Sequence, residues 1–505
     1  MADVSHRRID APTVLTAVLS LLVLAYVVTR AAKLCITIDE AATYNDHVRG
    51  GWLDIILFRT DGLPDNNHIL NTLFCKVSVM LFGLSELTLR IPSLLGCFFY
   101  LLGLNLCLRR IVSGWNIVIG LLAVGMNPYV LDFLGLARGY GLGLGFTMLG
   151  LAALLSSFDE ITGKVRVVNA QVSMMLFGLA SLSNLSFLLV LGAAMLLFGM
   201  RLVYSVIFGR HVSDFSSSPW PILLLKIILP ALPFLAYLAL PIDIIHKLKL
   251  FEEGGHKGFW TDTVTGLIQG TAYGSSLLWQ NINSMMLWVM LASLFVPLAL
   301  FILKRTDESK FLALSVLASM TFIISLESLV QHYLFHVAYL EGRRAIFFIP
   351  FFLLTVLAFG DPPRHAKRWY TLSAMLLGLL IPSVLAVHDV ASMNLRIIYN
   401  WNNYEGTRPA MLAIMKEIGQ QKPERARKML VNSDYDGSIS FYRSMFGMER
   451  LLLPIHDEGL DGSADYYYGH TSDAVTMAKN GARPLLLHPA SGTVLYERTG
   501  ADSRP

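Results

Sequence analysis

ILNTLFCKVSVMLFG, residues 69–83, decides how the rest of the chain is threaded. The stretch is apolar but 15 residues long, and it carries Lys76. A helix that crosses a bilayer core needs about 20 residues. Counting it as a span would turn the rest of the chain over and put Arg109-Arg110 and Arg364-Lys367-Arg368 outside. Short cytoplasmic loops instead collect Lys and Arg. The stretch is therefore read as an outer-surface or re-entrant helix.

Working outward, spans fall near residues 12–30, 91–108, 115–134, 140–157, 168–184, 186–205, 220–242, 285–303, 311–330, 345–360 and 369–388. The inner loops then hold Arg7 and Arg8, Arg109 and Arg110, Lys164 and Arg166, Arg201 and Arg210, Lys304 and Arg305, and Arg364, Lys367 and Arg368. The expected fold is a polytopic α-helical membrane protein of about 11 spans, within a range of about 11–13, with N-terminus in and C-terminus out. Composition agrees: 54% of residues are hydrophobic and 15% charged, against about 25% charged in soluble chains. Arg7 and Arg8 precede an apolar run with no small-residue cleavage site, which reads as a retained first span. A net charge of +4 without a basic-aromatic stripe argues against nucleic acid as a partner. Cys35, Cys75, Cys97 and Cys107 lack metal-type spacing and read as packing residues.

Residues 390–505 are polar throughout and lack a run long enough to span. They read as a soluble outer α/β domain beside a membrane domain, residues 1–389, whose first outer loop covers 31–90. Expected elements are a helix at Arg408–Gln420, strands at Met429–Asn432, Leu451–Ile455, Ala464–Tyr468, Pro484–Leu487 and Thr493–Tyr496, and helices near 438–446 and 472–479.

On this topology the remaining ionisable residues near the membrane gather on the outer side. Asp39, Glu40 and Tyr44 follow the first span; Asp61, Asp65, Asn66, Asn67 and His68 lead into Lys76 and then Glu86 and Arg90. Arg138-Gly139-Tyr140 stands at the next outer junction, and Arg343-Arg344 precedes a later span. Each has a plainer reading: interfacial charge pairs, loop caps, or cations reaching headgroups. Arg138 sits in a long apolar run, where a charge at mid-membrane costs roughly 2.5–3.5 kcal/mol on insertion scales, so a partner is expected. Arg343-Arg344 runs against the positive-inside rule and invites an anion. The glycines at 139, 141, 143 and 145 follow no strand and read as close helix packing. Asn184-Leu185-Ser186 matches a glycosylation pattern but sits in a tight turn.

A sugar joined through C1 to a lipid phosphate has a good leaving group. Its transfer needs a base on the acceptor hydroxyl and cations around the released phosphate. The outer loops carry both, at a depth where a lipid-held donor presents its phosphate.

Several stretches in their order along the chain resemble the GT-C membrane glycosyltransferases, especially the branch of protein O-mannosyltransferases and bacterial aminoarabinose or lipopolysaccharide-core sugar transferases. These are Asp39-Glu40, Asn66-Asn67-His68 with Leu70 and Leu73, Phe82-Gly83-Leu84-Ser85-Glu86, Arg90-Ile91-Pro92-Ser93, Asn127-Pro128 and Ala137-Arg138-Gly139-Tyr140. They cover about the first 160 residues; Arg343-Arg344 resembles a later arginine site of the family. The family often has proline where this chain has Ile69 and Gly139. The resemblance implies inverting transfer of a monosaccharide from a polyprenyl-phosphate donor to a glycan, lipid or protein acceptor. Asp39 would be the base; Glu40 and Asp65 would position hydroxyls, with Tyr44, Asn66, Asn67, His68 and Tyr140 lining the substrate. Lys76, Arg90, Arg138, Arg343 and Arg344 would bind the lipid phosphate. A divalent cation near Asp39, Glu40 and His68 is not predicted.

Two rivals remain at the level of sequence: a transporter or flippase for lipid-linked sugars, and a non-catalytic assembly subunit. A transporter predicts polar residues through the membrane and repeat symmetry, whereas intramembrane charges here are few beyond Lys226 and Glu327. The expected compartment is a bacterial inner membrane with the site facing outward, the endoplasmic reticulum being second. The outer loop 243–284 reads either as a gate or as an interfacial anchor.

Overall fold

The computed structural model describes residues 10–158, 165–207, 219–276, 309–361, 368–421, 425–455 and 459–498. The expected span 285–303 and the basic residues Arg7, Arg8, Lys164, Arg210, Lys304, Arg305, Arg364 and Lys367 lie outside the described residues. The chain divides into two compact units. One comprises residues 1–28, 93–135 and 139–393; the other comprises 29–92, 136–138 and 394–505.

The first unit is helical. Across the described chain, six helices are long and apolar enough to cross a membrane: Ala11–Lys33, Glu86–Ile111, Tyr140–Ser157, Leu185–Tyr204, Trp220–Lys247 and Leu312–Phe335. Shorter apolar helices occupy Val167–Ser183 and Phe348–Gly360, and Arg368–Ala391 fills the last expected span. Large apolar side chains such as Leu21, Leu22, Val168 and Leu334 point outward, as in a protein whose solvent is hydrocarbon. This is an integral membrane protein.

The run expected as one span at 115–134 is broken. Asn116–Gly125 and Pro128–Gly135 meet at a 60° bend. Pro128 lacks the N–H that would continue the helix, and the buried Asn127 caps the new start by accepting from the Val130 N–H at 3.1 Å. Glycines set other contacts. A methyl on Gly145 would lie 2.4 Å from the Gly96 carbonyl oxygen, and one on Gly96 would lie 2.3 Å from the Gly141 backbone. Those two helices touch backbone to backbone, the packing expected of the glycine row. Asn184 is buried, and its Oδ1 caps the turn through the Ser186 N–H and hydroxyl.

The second unit holds a four-stranded sheet in the order β1-β2-β4-β3, with β1 Met429–Val431, β2 Tyr466–His470, β3 Ala482–His488 and β4 Thr493–Arg498. β1 and β2 run parallel with Leu430 opposite Tyr467; the other pairs are antiparallel. Leu430, Tyr467, Met477, Val494 and Tyr496 form its buried core. Helices Thr407–Gln421, Asp436–Met445 and Ala474–Lys479 lie at the expected places. The strand expected at Leu451–Ile455 is reduced to a single bridge between Arg427 and Leu452, because Pro454 has no N–H with which to extend a ladder.

The decisive stretch forms helix Ile69–Phe82, 14 residues long and ended by Gly83 at φ 79°. Its polarity is inverted. Asn71, Thr72, Cys75 and Ser78 are buried, whereas Phe74, Val77, Met80, Leu81 and Phe82 are exposed. A helix with a polar inner face and an apolar outer face suits a membrane surface.

Candidate active site: one saturated carboxylate beside one open one

The two neighbouring carboxylates after the first span are built for different ends. Thr37, Ile38, Asp39 and Glu40 form a capping box. Thr37 Oγ1 accepts from the Glu40 N–H at 3.3 Å, and Glu40 Oε2 accepts from the Thr37 N–H at 3.1 Å. Glu40 also accepts from Arg90 Nε and Nη2, both at 2.7 Å, from the Ala137 N–H at 2.8 Å and from the Thr37 hydroxyl at 3.2 Å. Both side chains of the Arg90–Glu40 pair are fully buried. Arg90 Nη1 donates to the carbonyls of Ala31 and Leu34, and Nη2 also to that of Cys35.

Arg90 thus spends all five of its N–H donors inside the protein. It has none for a lipid phosphate, and Glu40 has no oxygen turned to a substrate. The expected substrate roles of these two residues give way to an architectural one: Arg90 and Glu40 close the end of the first helix and pin the Ala137 turn. The Thr37-x-x-Glu40 spacing carried that signal.

Asp39 lies on the same short helix, Ile38–Ala42, and remains partly open, its side chain 22% exposed. Arg138 Nη2 stands 3.7 Å from its Oδ2, and Arg138 Nη1 donates to its main-chain oxygen at 3.4 Å. Arg138 has the partner its apolar setting required.

The helix continues without interruption into a π-turn, Thr43–Val48, a form that appears frequently at functional sites. There the Tyr44 ring meets Phe441 edge-on at 5.4 Å. His47 is fully buried, its Nδ1 2.6 Å from Thr60 Oγ1. Burial first, and then the Arg138 charge, push its pKa down to about 4. The sequence reading passed over His47. Its position eight residues beyond Asp39 was the available signal. Burial also raises the Asp46 carboxyl, with Asp61 and Asp436 adding to the shift.

Lys76 donates to the carbonyls of Val48 and Gly50 at 2.8 and 2.7 Å and stands over the Trp52 ring. Asn67 ties the loop through the Ile55 carbonyl at 3.0 Å, and His68 begins helix Ile69–Phe82. Asp65 and Asn66 lie on the turn Pro64–Asn66, each with a buried side-chain oxygen that has no protein partner. The structure brings Asp39, Glu40, Tyr44, Asp65, Asn66, Asn67, His68, Lys76, Arg90 and Arg138 into the second unit; Tyr140, Arg343 and Arg344 belong to the first. Tyr140 is buried against Phe133, and Arg344 donates to the Glu253 carbonyl at 2.6 Å. Among the described residues, no group of three His, Cys, Asp or Glu is placed to hold a metal ion.

The C-terminal segment completes the carboxylate loop. The Tyr442 hydroxyl accepts from the Ile36 N–H at 2.9 Å and donates to Glu86 at 3.0 Å. Arg408 reaches the same Glu86 oxygen at 3.1 Å and the Lys33 carbonyl at 2.7 Å. Asn45 donates to the Gly437 carbonyl at 3.0 Å.

Fold and site define an integral membrane protein that carries a partly open carboxylate, Asp39, on a loop locked by a saturated ion pair. The chain is similar to ArnT from Cupriavidus metallidurans in the apo state, at TM-score 0.49 and 12% identity over 96% of this chain and 97% of that chain. It is also similar to that protein bound to undecaprenyl phosphate, at TM-score 0.43 and 14% identity over 97% and 99% of the two chains. The Archaeoglobus fulgidus oligosaccharyltransferase tethered with an acceptor peptide matches at TM-score 0.43 and 11% identity, over 95% of this chain and 74% of that one. No family model matches. No curated protein matches. At these low scores and identities, function is argued from this chain's own residues.

Proposed function

We propose that the chain is a glycosyltransferase that moves a monosaccharide from a polyprenyl-phosphate donor to an acceptor hydroxyl on the extracytoplasmic face of the membrane. The observation that carries this reading is the division of labour between Asp39 and Glu40. An architectural charge pair would need only Glu40 and Arg90. The second carboxylate is instead left partly exposed, with the Arg138 guanidinium at 3.7 Å beside it. Asp39 takes the acceptor's proton as the acceptor oxygen bonds to C1. The C1–O bond to the phosphate breaks, the phosphate leaves with the electron pair, and C1 inverts. The donor class follows the resemblance of the Asp39-Glu40, Asn66-Asn67-His68 and Ala137-Arg138 stretches.

Arg138 acts first on Asp39; Lys76, with two of its three N–H donors used, keeps a charge for the phosphate. Arg343 and Arg344 keep their proposed phosphate role, Arg344 with one donor already given to Glu253. Asp65, Asn66, Asn67, His68, Tyr44 and Tyr140 remain proposed substrate contacts. The membrane is proposed to be a bacterial inner membrane, with the C-terminal segment outside. The proposed acceptor is a glycan, a lipid or a protein.

The test is transfer of radiolabelled sugar from a panel of undecaprenyl-phosphate sugars by the full chain in lipid. Wild type should turn over one donor. Asp39→Asn should lose at least a hundredfold in kcat with unchanged thermal stability, and Arg138→Ala should fall with it. Full turnover by Asp39→Asn would refute the assignment.

A further inference from the structure

His47 is buried to 0% exposure, and its two ring nitrogens differ. Nδ1 meets Thr60 Oγ1 at 2.6 Å, whereas Nε2 has no protein partner. A buried ring nitrogen left unsatisfied costs free energy, and its partner is then an ordered water or a group of a bound molecule.

Its position on the helix gives the direction. Asp39, Thr43 and His47 are spaced four and four. Thr43 Oγ1 donates to the Asp39 carbonyl at 3.0 Å, joining the first two. Over eight residues a pure α-helix would swing His47 about 80° away from Asp39 at 3.6 residues per turn. The segment Thr43–Val48 is instead π-helical, and its wider i→i+5 turn takes back part of that swing. Gly62 closes the other side: a methyl there would lie 2.5 Å from Asp46 Cβ and 3.0 Å from His47 Cε1. The ring is fixed in orientation, shielded at one edge, and shares the Arg138 charge with Asp39.

We propose that His47 Nε2 hydrogen-bonds a hydroxyl group of the substrate, making His47 a specificity-determining residue of the Asp39 site. The inference rests on the glycosyltransferase reading. An imidazole that stays neutral at physiological pH beside a guanidinium suits an uncharged hydroxyl rather than a phosphate. The hydroxyl comes from the donor sugar or from the acceptor.

Two near-isosteres separate the nitrogens. Asparagine places a polar atom near Nδ1 and none near Nε2; glutamine does the reverse. The full chain in lipid nanodiscs is measured for binding of undecaprenyl phosphate with and without an attached monosaccharide, and for transfer to acceptors in the membranes that express it. If the donor sugar supplies the hydroxyl, His47→Asn weakens the sugar-bearing lipid about tenfold and leaves the bare lipid phosphate unchanged, with His47→Gln restoring most of the loss. If the acceptor supplies it, lipid binding is unchanged while transfer falls about tenfold in His47→Asn and recovers in His47→Gln. Equal losses in both variants with a lowered melting temperature would make His47 structural and overturn the proposal. So would wild-type behaviour in His47→Asn. A wild type that binds and turns over no donor sinks the glycosyltransferase reading as well, whereas an active wild type with indifferent His47 variants sinks this inference alone.

Discussion

Arg90→Met should cost the second unit about 3–5 kcal/mol of stability, the penalty for leaving one member of a buried ion pair alone. Arg90 and Glu40 are both at 0% exposure and make two contacts of 2.7 Å. Removing the guanidinium strands the Glu40 carboxylate and also orphans the carbonyls of Ala31, Leu34 and Cys35. Glu40→Gln should cost a similar amount, because it leaves a buried guanidinium charge without its counter-charge. The Arg90→Met/Glu40→Gln double variant should lose about 2–3 kcal/mol less than the sum of the two. The assay is equilibrium denaturation in detergent, followed by the fluorescence of a reporter in the second unit, with Asp39→Asn as a control that should move by less than about 0.5 kcal/mol. Single-variant losses below about 1 kcal/mol, or strict additivity, would refute the claim that this pair holds the loop.

Three further outcomes follow. His47 has a folded pKa of about 4 against about 6.5 unfolded. Its stabilising contribution is present in full above pH 6.5 and is lost as pH falls toward 4, by at most about 3 kcal/mol; thermal melts from pH 7 to 4.5 should show a shallower acid slope in His47→Gln. Tyr442→Phe removes the bond to Glu86 and the acceptor for the Ile36 N–H, and should cost about 1–3 kcal/mol in the same denaturation assay. Gly145→Leu places a side chain where the Gly96 carbonyl lies 2.4 Å from a methyl, so the protein should lose monodispersity in size-exclusion chromatography and melt lower, by about 1–3 kcal/mol of overpacking.

Much of this was legible because the bilayer enforces simple rules. Apolar run length placed helices at the expected sites within the described residues, and the isolated charge of Arg138 implied a partner. The polarity of 390–505 marked a separate kind of chain. What the sequence concealed was pairing over distance. Glu40 and Arg90 carry the charges of substrate-binding residues, and only the list of their partners shows them to be saturated. The bend at Pro128 was hidden by an unbroken apolar run, since hydropathy does not register a missing N–H. Pro454 concealed a lost strand in the opposite way: the apolar pattern was present and the ladder could not form. His47 has no sequence signal beyond its spacing from Asp39, and only its burial and its unequal nitrogens single it out.

The second unit is assembled from segments whose partners are made far apart in time. Ile36 and Tyr442 are 406 residues apart, and Glu86 and Arg408 are 322 apart. At about 5–20 residues per second of synthesis, Ile36 waits about 20–80 s for its hydroxyl partner. Through that interval the Asp39 loop is without Tyr442 and Arg408. Maturation of the carboxylate loop therefore waits for the synthesis of Arg408 and Tyr442. A chain cut short at residue 394 would be an unfinished site, and in a cell it would be a client for quality control.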